Sequence, residues 1–190
     1  MSVVSNVKVF GLEDSVKASK YPMSVNIDSL NDEITKTVKA LGKSRTGEGH
    51  DQFLTGIVVQ FDLTFSLKAW TEAQRYHFLD FVSSQSTMHR ISKFSLSSQC
   101  NKYVDPVLQN IVQSKQLAYE ADPTPEKYLE LLYNIPSGFT LTARMTTNYR
   151  QLKTIYHQRK NHRLPEWREF CEWIETLPMF KEVVLGVCEV

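Results

Sequence analysis

From Ile57 to Leu67 every odd-numbered position is apolar and most even-numbered ones are polar, the period-two pattern of a long, half-buried strand. Phe139 to Met145 repeats the alternation, and Val3 to Phe10 and Val183 to Val187 are shorter strand candidates. Helical spacing alternates with these strands. Asp28-Ser29 precedes Leu30, Ile34, Val38 and Leu41, with Gly42 where a C-terminal cap would sit, which predicts an amphipathic helix. Trp70, Ala73, His77, Phe78, Phe81, Val82, Gln85 and Met88 form one stripe, predicting a long helix from Trp70 to about His89 that runs into a polar loop over residues 90–102.

Val104 to Leu117 is a third helix candidate. Asp122-Pro123 breaks the chain, and Thr124-Pro125-Glu126 then reads as a cap followed by proline in the first turn, opening a helix through Tyr133. The run from Asn148 to Arg159 places Asn148, Leu152, Ile155 and Arg159 on one side of a helix. Pro165 starts a last helix with Trp167, Phe170, Cys171 and Ile174 inward. Strands and helices mix without a regular βαβ rhythm, so the pattern predicts an α+β fold, a mainly antiparallel sheet covered by helices. The length of 190 residues fits one domain over residues 1–190.

Composition narrows the function classes. Twenty-two Lys plus Arg against 21 Asp plus Glu leave a formal net charge of +1, so no global field draws the chain to nucleic acid or anionic lipid. An anionic ligand must be held locally. Cys100, Cys171 and Cys188 are far apart and form no Cys-x-x-Cys pair, which points to a reducing interior rather than a disulfide framework or a zinc site. The N-terminal residues lack a charged segment followed by an apolar core, and no apolar run approaches membrane-spanning length. A cytoplasmic protein is expected.

Two constellations carry candidate chemistry. Met88-His89-Arg90 is followed by Ser92, Lys93, Ser95, Ser97, Ser98, Gln99, Asn101 and Lys102, a density of donors that suits a phosphate-bearing ligand and equally suits a solvated surface loop. Asn148, Arg150 and Arg159, with His157, His162 and Arg163 nearby, form the second. At a rise of about 1.5 Å per residue, Asn148 and Arg159 stand roughly 16 Å apart along the helix, enough to touch different parts of an extended ligand. Residues alone also leave open an ordinary basic helix surface. His157 and His162 match no zinc spacing, and no metal is expected. No glycine-rich dinucleotide motif, P-loop or nucleophile elbow is present.

Taken in register, these residues resemble the flavin-dependent thymidylate synthases. Met88-His89-Arg90, seven residues and Ser98 are similar to the family's Arg-His-Arg-x7-Ser signature, with Met in place of the first Arg. Gly49-His50 and the strand through Phe65 resemble the upstream His and strand, while Ile135-Pro136, Asn148-x-Arg150 and Arg159 resemble the Leu-Pro, Asn-x-Arg and final Arg downstream. The likeness spans roughly residues 48 to 170.

The resemblance implies a homotetramer that binds FAD and methylates dUMP, with methylenetetrahydrofolate as carbon donor and NADPH as reductant, and with no protein nucleophile attacking the pyrimidine. It assigns His50, His89, Arg90 and Asn148 to the flavin, Ser98 and Arg150 to the nucleotide, and Arg159 to the pyrimidine ring. The pattern departs from the family at Met88, and at Leu96 and Cys100, where an acidic residue and an Arg are usual around the signature Ser. Lys102 supplies the missing charge beside the nucleotide if the loop carries two extra residues, an alignment that displaces Ser98. A related pyrimidine-modifying enzyme and a catalytically altered or inactive nucleotide-binding or scaffold protein therefore stay open. A nucleic-acid module built on Lys93, Lys102, Arg150, Arg159, Lys160 and Arg163 is disfavoured by the neutral overall charge.

Overall fold

A computed structural model of the chain describes residues 3–186. Strands β1 (Val4–Phe10), β2 (Val58–Ser66), β3 (Asp80–Ser84) and β4 (Thr140–Asn148) form one antiparallel sheet in the order β1-β2-β4-β3. The helices are α1 (Leu12–Ala18), α2 (Lys36–Lys43), α3 (Leu67–Ala73), α4 (Thr87–Arg90), α5 (Leu96–Gln99), α6 (Pro106–Ala121), α7 (Pro125–Tyr133), α8 (Tyr149–Arg159) and α9 (Pro165–Ile174). The fold is α+β, as the patterning predicts.

Alternation along β2 becomes alternation of burial. Val59, Phe61, Leu63 and Phe65 are fully buried while Val58, Gln60, Asp62 and Thr64 are partly exposed. Each buried side chain of this size contributes about 1.5–3 kcal/mol. The β2–β4 register is fixed at both ends: Tyr149 N donates to Ile57 O (3.0 Å), and Leu67 N donates to Phe139 O (2.9 Å).

The chain divides into two compact units. The first comprises residues 1–62, 76–80 and 145–190. Its core sets Phe61 against Phe170 and Trp173, with ring centroids 5.7 and 4.7 Å apart, and Tyr149 edge-on to Phe180. The Tyr149 hydroxyl donates to Pro178 O (2.6 Å), so its polar end is satisfied inside an apolar site. The second unit comprises residues 63–75 and 81–144. There Ile91, Leu96, Val112, Leu131 and Phe139 form one buried cluster, and Trp70 packs against Phe65 and Phe81 while its Nε1 donates to Leu141 O (3.1 Å).

Local signals account for several helix starts. Thr124 Oγ1 accepts from Lys127 N (3.3 Å), with Pro125 in the first turn of α7. Asp105 Oδ1 accepts from Val107 N (2.7 Å) ahead of Pro106, which sets the start of α6 two residues after Val104. Helices α8 and α9 occur where their spacing predicts, with Leu152, Ile155, Trp167, Phe170, Cys171 and Ile174 buried.

Four expectations are corrected. The long helix from Trp70 to His89 does not form: α3 ends at Ala73, and residues 80–84 are strand β3. Backbone and side-chain groups of this segment bond to β4 instead. Gln85 N donates to Thr142 O (3.0 Å), Gln85 Oε1 accepts from Thr142 N (2.9 Å), and Thr147 Oγ1 donates to Phe78 O (2.6 Å). A short Phe-Val-Ser-Ser run suits a strand as well as a helix, and tertiary pairing decides.

The helix proposed from Leu30 to Leu41 is confined to Lys36–Lys43. Asn26 and Asn31 side-chain oxygens take the backbone N–H groups of Asp28 and Glu33, and Thr35 Oγ1 caps at Val38 N. Side chains thus offer the backbone an alternative to helix until Thr35. Gly42 lies inside α2 rather than capping it, and a Cβ there would collide with the Val183 carbonyl.

Residues 183–185 are not a strand. They belong to a wide helical turn, Lys181–Leu185, that Gly186 ends at φ 75°, and Val187 lies outside the described residues. Residues 90–102 are not simply a polar loop, since α5 forms within them and Ile91 and Leu96 anchor the segment in the apolar cluster.

Candidate functional site

In the first unit the candidate residues lie along α8 and the loop before β2. Asn148 is the N-cap of α8: its Oδ1 accepts from Gln151 N (2.9 Å), so the carbonyl end of the side chain is engaged and the amide nitrogen is the end left to a ligand. Two residues on, Arg150 Nε donates to Asp51 Oδ1 (3.0 Å) and its Nη1 to Gln52 Oε1 (2.9 Å). Asp51 is fully buried, and its second oxygen accepts from Lys153 Nζ (2.8 Å). Lys153, only 3% exposed, also donates to Gly42 O (2.8 Å) and Ser44 O (2.6 Å), so all three ammonium donors have acceptors. His50 precedes Asp51 and is exposed, in a loop where Gly47 and Gly49 have φ of 102° and 80°.

Arg159, the last residue of α8, is half-buried and held on several sides. Its Nε donates to Tyr76 Oη (2.8 Å), its Nη1 lies 2.8 Å from His162 Nε2, and its guanidinium carbon stands 4.9 Å from the Trp167 ring centroid. His162 Nδ1 also lies 3.2 Å from Leu164 N, so the imidazole, with one acceptor nitrogen in its neutral form, serves one of these two donors at a time. Tyr76 Oη in turn donates to Gln158 Oε1 (3.0 Å). Arg159 is therefore a preset cation on an aromatic floor rather than a loose side chain at a helix end. His157 is exposed on the same helix; partial burial, then the charges of Lys160 and Lys153, hold its pKa below the usual value.

In the second unit His89 and Arg90 close α4, both exposed. The Tyr128 hydroxyl donates to Met88 O (2.8 Å) and ties this turn to α7. Beside it runs a surface groove of about 560 Å³, lined by Met88, His89, Ser92, Tyr119, Tyr128 and Leu129 among others. Ser98 is exposed on α5, its Oγ donating to Ser95 O (3.0 Å). Lys102 is exposed, with Nζ 5.3 Å from the Tyr103 ring centroid. Arg163 is exposed in the first unit and Lys93 in the second.

Asp51, Gln52, Lys153 and Tyr76 are site-supporting residues that sequence reasoning missed. Lys153 left a signal: it falls among the apolar positions Tyr149, Leu152 and Ile155, which are buried, and a charge there demands a partner. The described cysteines are not activated thiolates. Burial raises the Cys100 pKa, and burial together with Glu175 pushes the Cys171 thiol up to about 12. Among the described residues no three His, Cys, Asp or Glu side chains gather as metal ligands, and no helix is long and apolar enough to cross a membrane.

Solved structures share this architecture. The flavin-dependent thymidylate synthase ThyX from Helicobacter pylori, in complex with FAD and dUMP, superposes with a TM-score of 0.72 at 13% identity, covering 95% of this chain and 97% of that one. A second structure of ThyX from the same organism, with FAD and dUMP, gives a TM-score of 0.73 at the same identity and coverage. The UMP/dUMP methylase PolB from Streptomyces cacaoi, bound with 5-Br UMP, gives 0.62 at 10% identity over 96% of this chain and 91% of that one. No family model matches the sequence, and no curated protein does. The chain has the ThyX fold.

Proposed function

We propose that this chain is a flavin-dependent enzyme acting on a pyrimidine nucleotide, and specifically that it carries out the reductive methylation of dUMP to dTMP with methylenetetrahydrofolate and NADPH. The observation that carries the reading is the fold, matched over nearly the whole length to enzymes solved with FAD and dUMP or with 5-Br UMP. We further propose a cytoplasmic homotetramer.

Arg159 is the residue on which the chemistry turns. A uracil ring that gains electron density is stabilised by a cation beside its carbonyl oxygens, and a guanidinium stays charged at every working pH. Tyr76, His162 and Trp167 fix that cation before a ligand arrives, so little ordering is left to binding. Arg150 takes the anionic part of the nucleotide, with Ser98 or Lys102 as further contacts.

The residues also suit a flavin dinucleotide. Cβ atoms added at Gly47 or Gly49 would meet open space, so the backbone beside His50 is bare to a ligand, and the amide nitrogen of Asn148 is the end of its side chain that the helix cap does not use. His50, His89, Arg90 and Asn148 would hold the cofactor. When bound, FAD supplies the hydride that reduces the transferred carbon.

A second reading, a nucleotide-binding protein of the same fold without turnover, is favoured by one observation. Met88 stands where the family signature carries its first Arg and is 58% exposed, removing a cation from the proposed flavin site. Titration with FAD and dUMP tests the shared part of both readings: flavin absorbance retained after gel filtration and calorimetric binding of dUMP support it, and absence of both contradicts it. Product formation separates the two.

A further inference from the structure

The Asp51 carboxylate is buried, and it touches two cations of α8, Arg150 and Lys153. Its charge balance is informative. Asp51, Arg150 and Lys153 sum to one positive charge. Lys153 spends its three donors inside the protein, on Asp51 Oδ2, Gly42 O and Ser44 O. The surplus is thus presented at Arg150, whose side chain remains 30% exposed. Two consecutive residues hold that guanidinium, Asp51 Oδ1 at Nε and Gln52 Oε1 at Nη1. With two of its nitrogens engaged, the planar fork is held in one orientation, and its exposed part faces solvent.

We infer that Asp51 and Gln52 are positioning residues that preset Arg150 as the receptor for a phosphoryl group, with Lys153 as the buried countercharge that keeps Asp51 in place. This rests on the functional reading above, which gives Arg150 an anionic ligand. The phosphoryl group belongs either to the nucleotide or to the flavin dinucleotide, and the two sources respond separately in the test. Asp51→Asn preserves size but offers a single acceptor where two cations stand. The asparagine oxygen stays with the buried ammonium, its amide faces Arg150 Nε with a donor, and the guanidinium is released. Gln52 is exposed, so Gln52→Ala removes the second hold without disturbing the core.

Calorimetric affinities for dUMP and for FAD are measured on the full chain, its Asp51→Asn, Gln52→Ala and Arg150→Ala variants and the Asp51→Asn/Arg150→Ala double variant, with melting temperatures alongside. Arg150→Ala and Asp51→Asn are expected to weaken the same ligand by roughly tenfold or more, and Gln52→Ala by about threefold, as loss of hydrogen bonds to a charged group implies. The double variant is expected to bind no more weakly than Arg150→Ala alone, because Asp51 acts only through Arg150. Loss confined to dUMP identifies the nucleotide phosphate, and loss confined to FAD the flavin diphosphate. Losses that add in the double variant, or wild-type affinity in Asp51→Asn while Arg150→Ala is impaired, overturn the positioning role and leave the functional reading standing. A wild-type chain that binds neither ligand overturns both. If Asp51→Asn does not fold, Gln52→Ala decides, and unchanged affinity there counts against the inference.

Discussion

Arg159 Nε and Tyr76 Oη are 2.8 Å apart, joining the last residue of α8 to a turn 83 residues earlier in the chain. The phenol accepts from the guanidinium and donates its own hydrogen bond to Gln158, so a chain of hydrogen bonds orients the arginine. Such orientation is the condition a cation needs to act on a neutral pyrimidine ring.

Arg159→Ala is expected to weaken dUMP binding by about 1.5–3 kcal/mol, the range for hydrogen bonds involving a charged group. Tyr76→Phe keeps the ring and removes only the oxygen, so a smaller loss of about 1 kcal/mol is expected. Calorimetric titration of both variants checks the order, and an equal or reversed ranking would remove Tyr76 from the role.

Much of the fold was legible because the decisive signals were local. The β2 alternation, the Thr124-Pro125 cap of α7 and the apolar stripes of α8 and α9 each depend on residues within one element. Strand β3 was not legible, since its identity depends on Thr142 and Thr147 of β4 accepting and donating to a segment far away in sequence. The site divides in the same way. Arg150 and Arg159 stood out as basic residues at helical spacing, whereas the partner of Arg150, Asp51, lies 99 residues earlier and only folding brings it to the helix.

Gly42→Ala tests why a glycine stands inside α2. Alanine favours a helix interior by about 1 kcal/mol over glycine. Here its Cβ would collide with the Val183 carbonyl, a backbone group that cannot rotate away. Overpacking of this kind costs up to about 3 kcal/mol, so a net loss of about 2 kcal/mol is expected in urea unfolding. A stabilised variant would contradict the close approach.

Tyr156 gives the fold a pH signature. Its hydroxyl donates to Glu175 Oε1 (2.6 Å), and that bond, then burial and the Glu175 charge, push the phenol up to about 12. The folded state therefore holds a proton that the unfolded chain releases near pH 10. The stabilisation is complete below about pH 10 and is lost as pH rises toward 12. Tyr156→Phe is expected to be less stable at neutral pH and to lose less stability across that alkaline window, as measured by denaturant midpoints from pH 8 to 12.

The most direct measurement incubates the FAD-loaded protein with NADPH, dUMP and methylenetetrahydrofolate carrying a labelled one-carbon unit, and identifies the nucleotide product by mass spectrometry. The account predicts labelled dTMP from the wild-type chain and none from Arg159→Ala. Bound flavin and dUMP with no labelled nucleotide would contradict the proposed reaction.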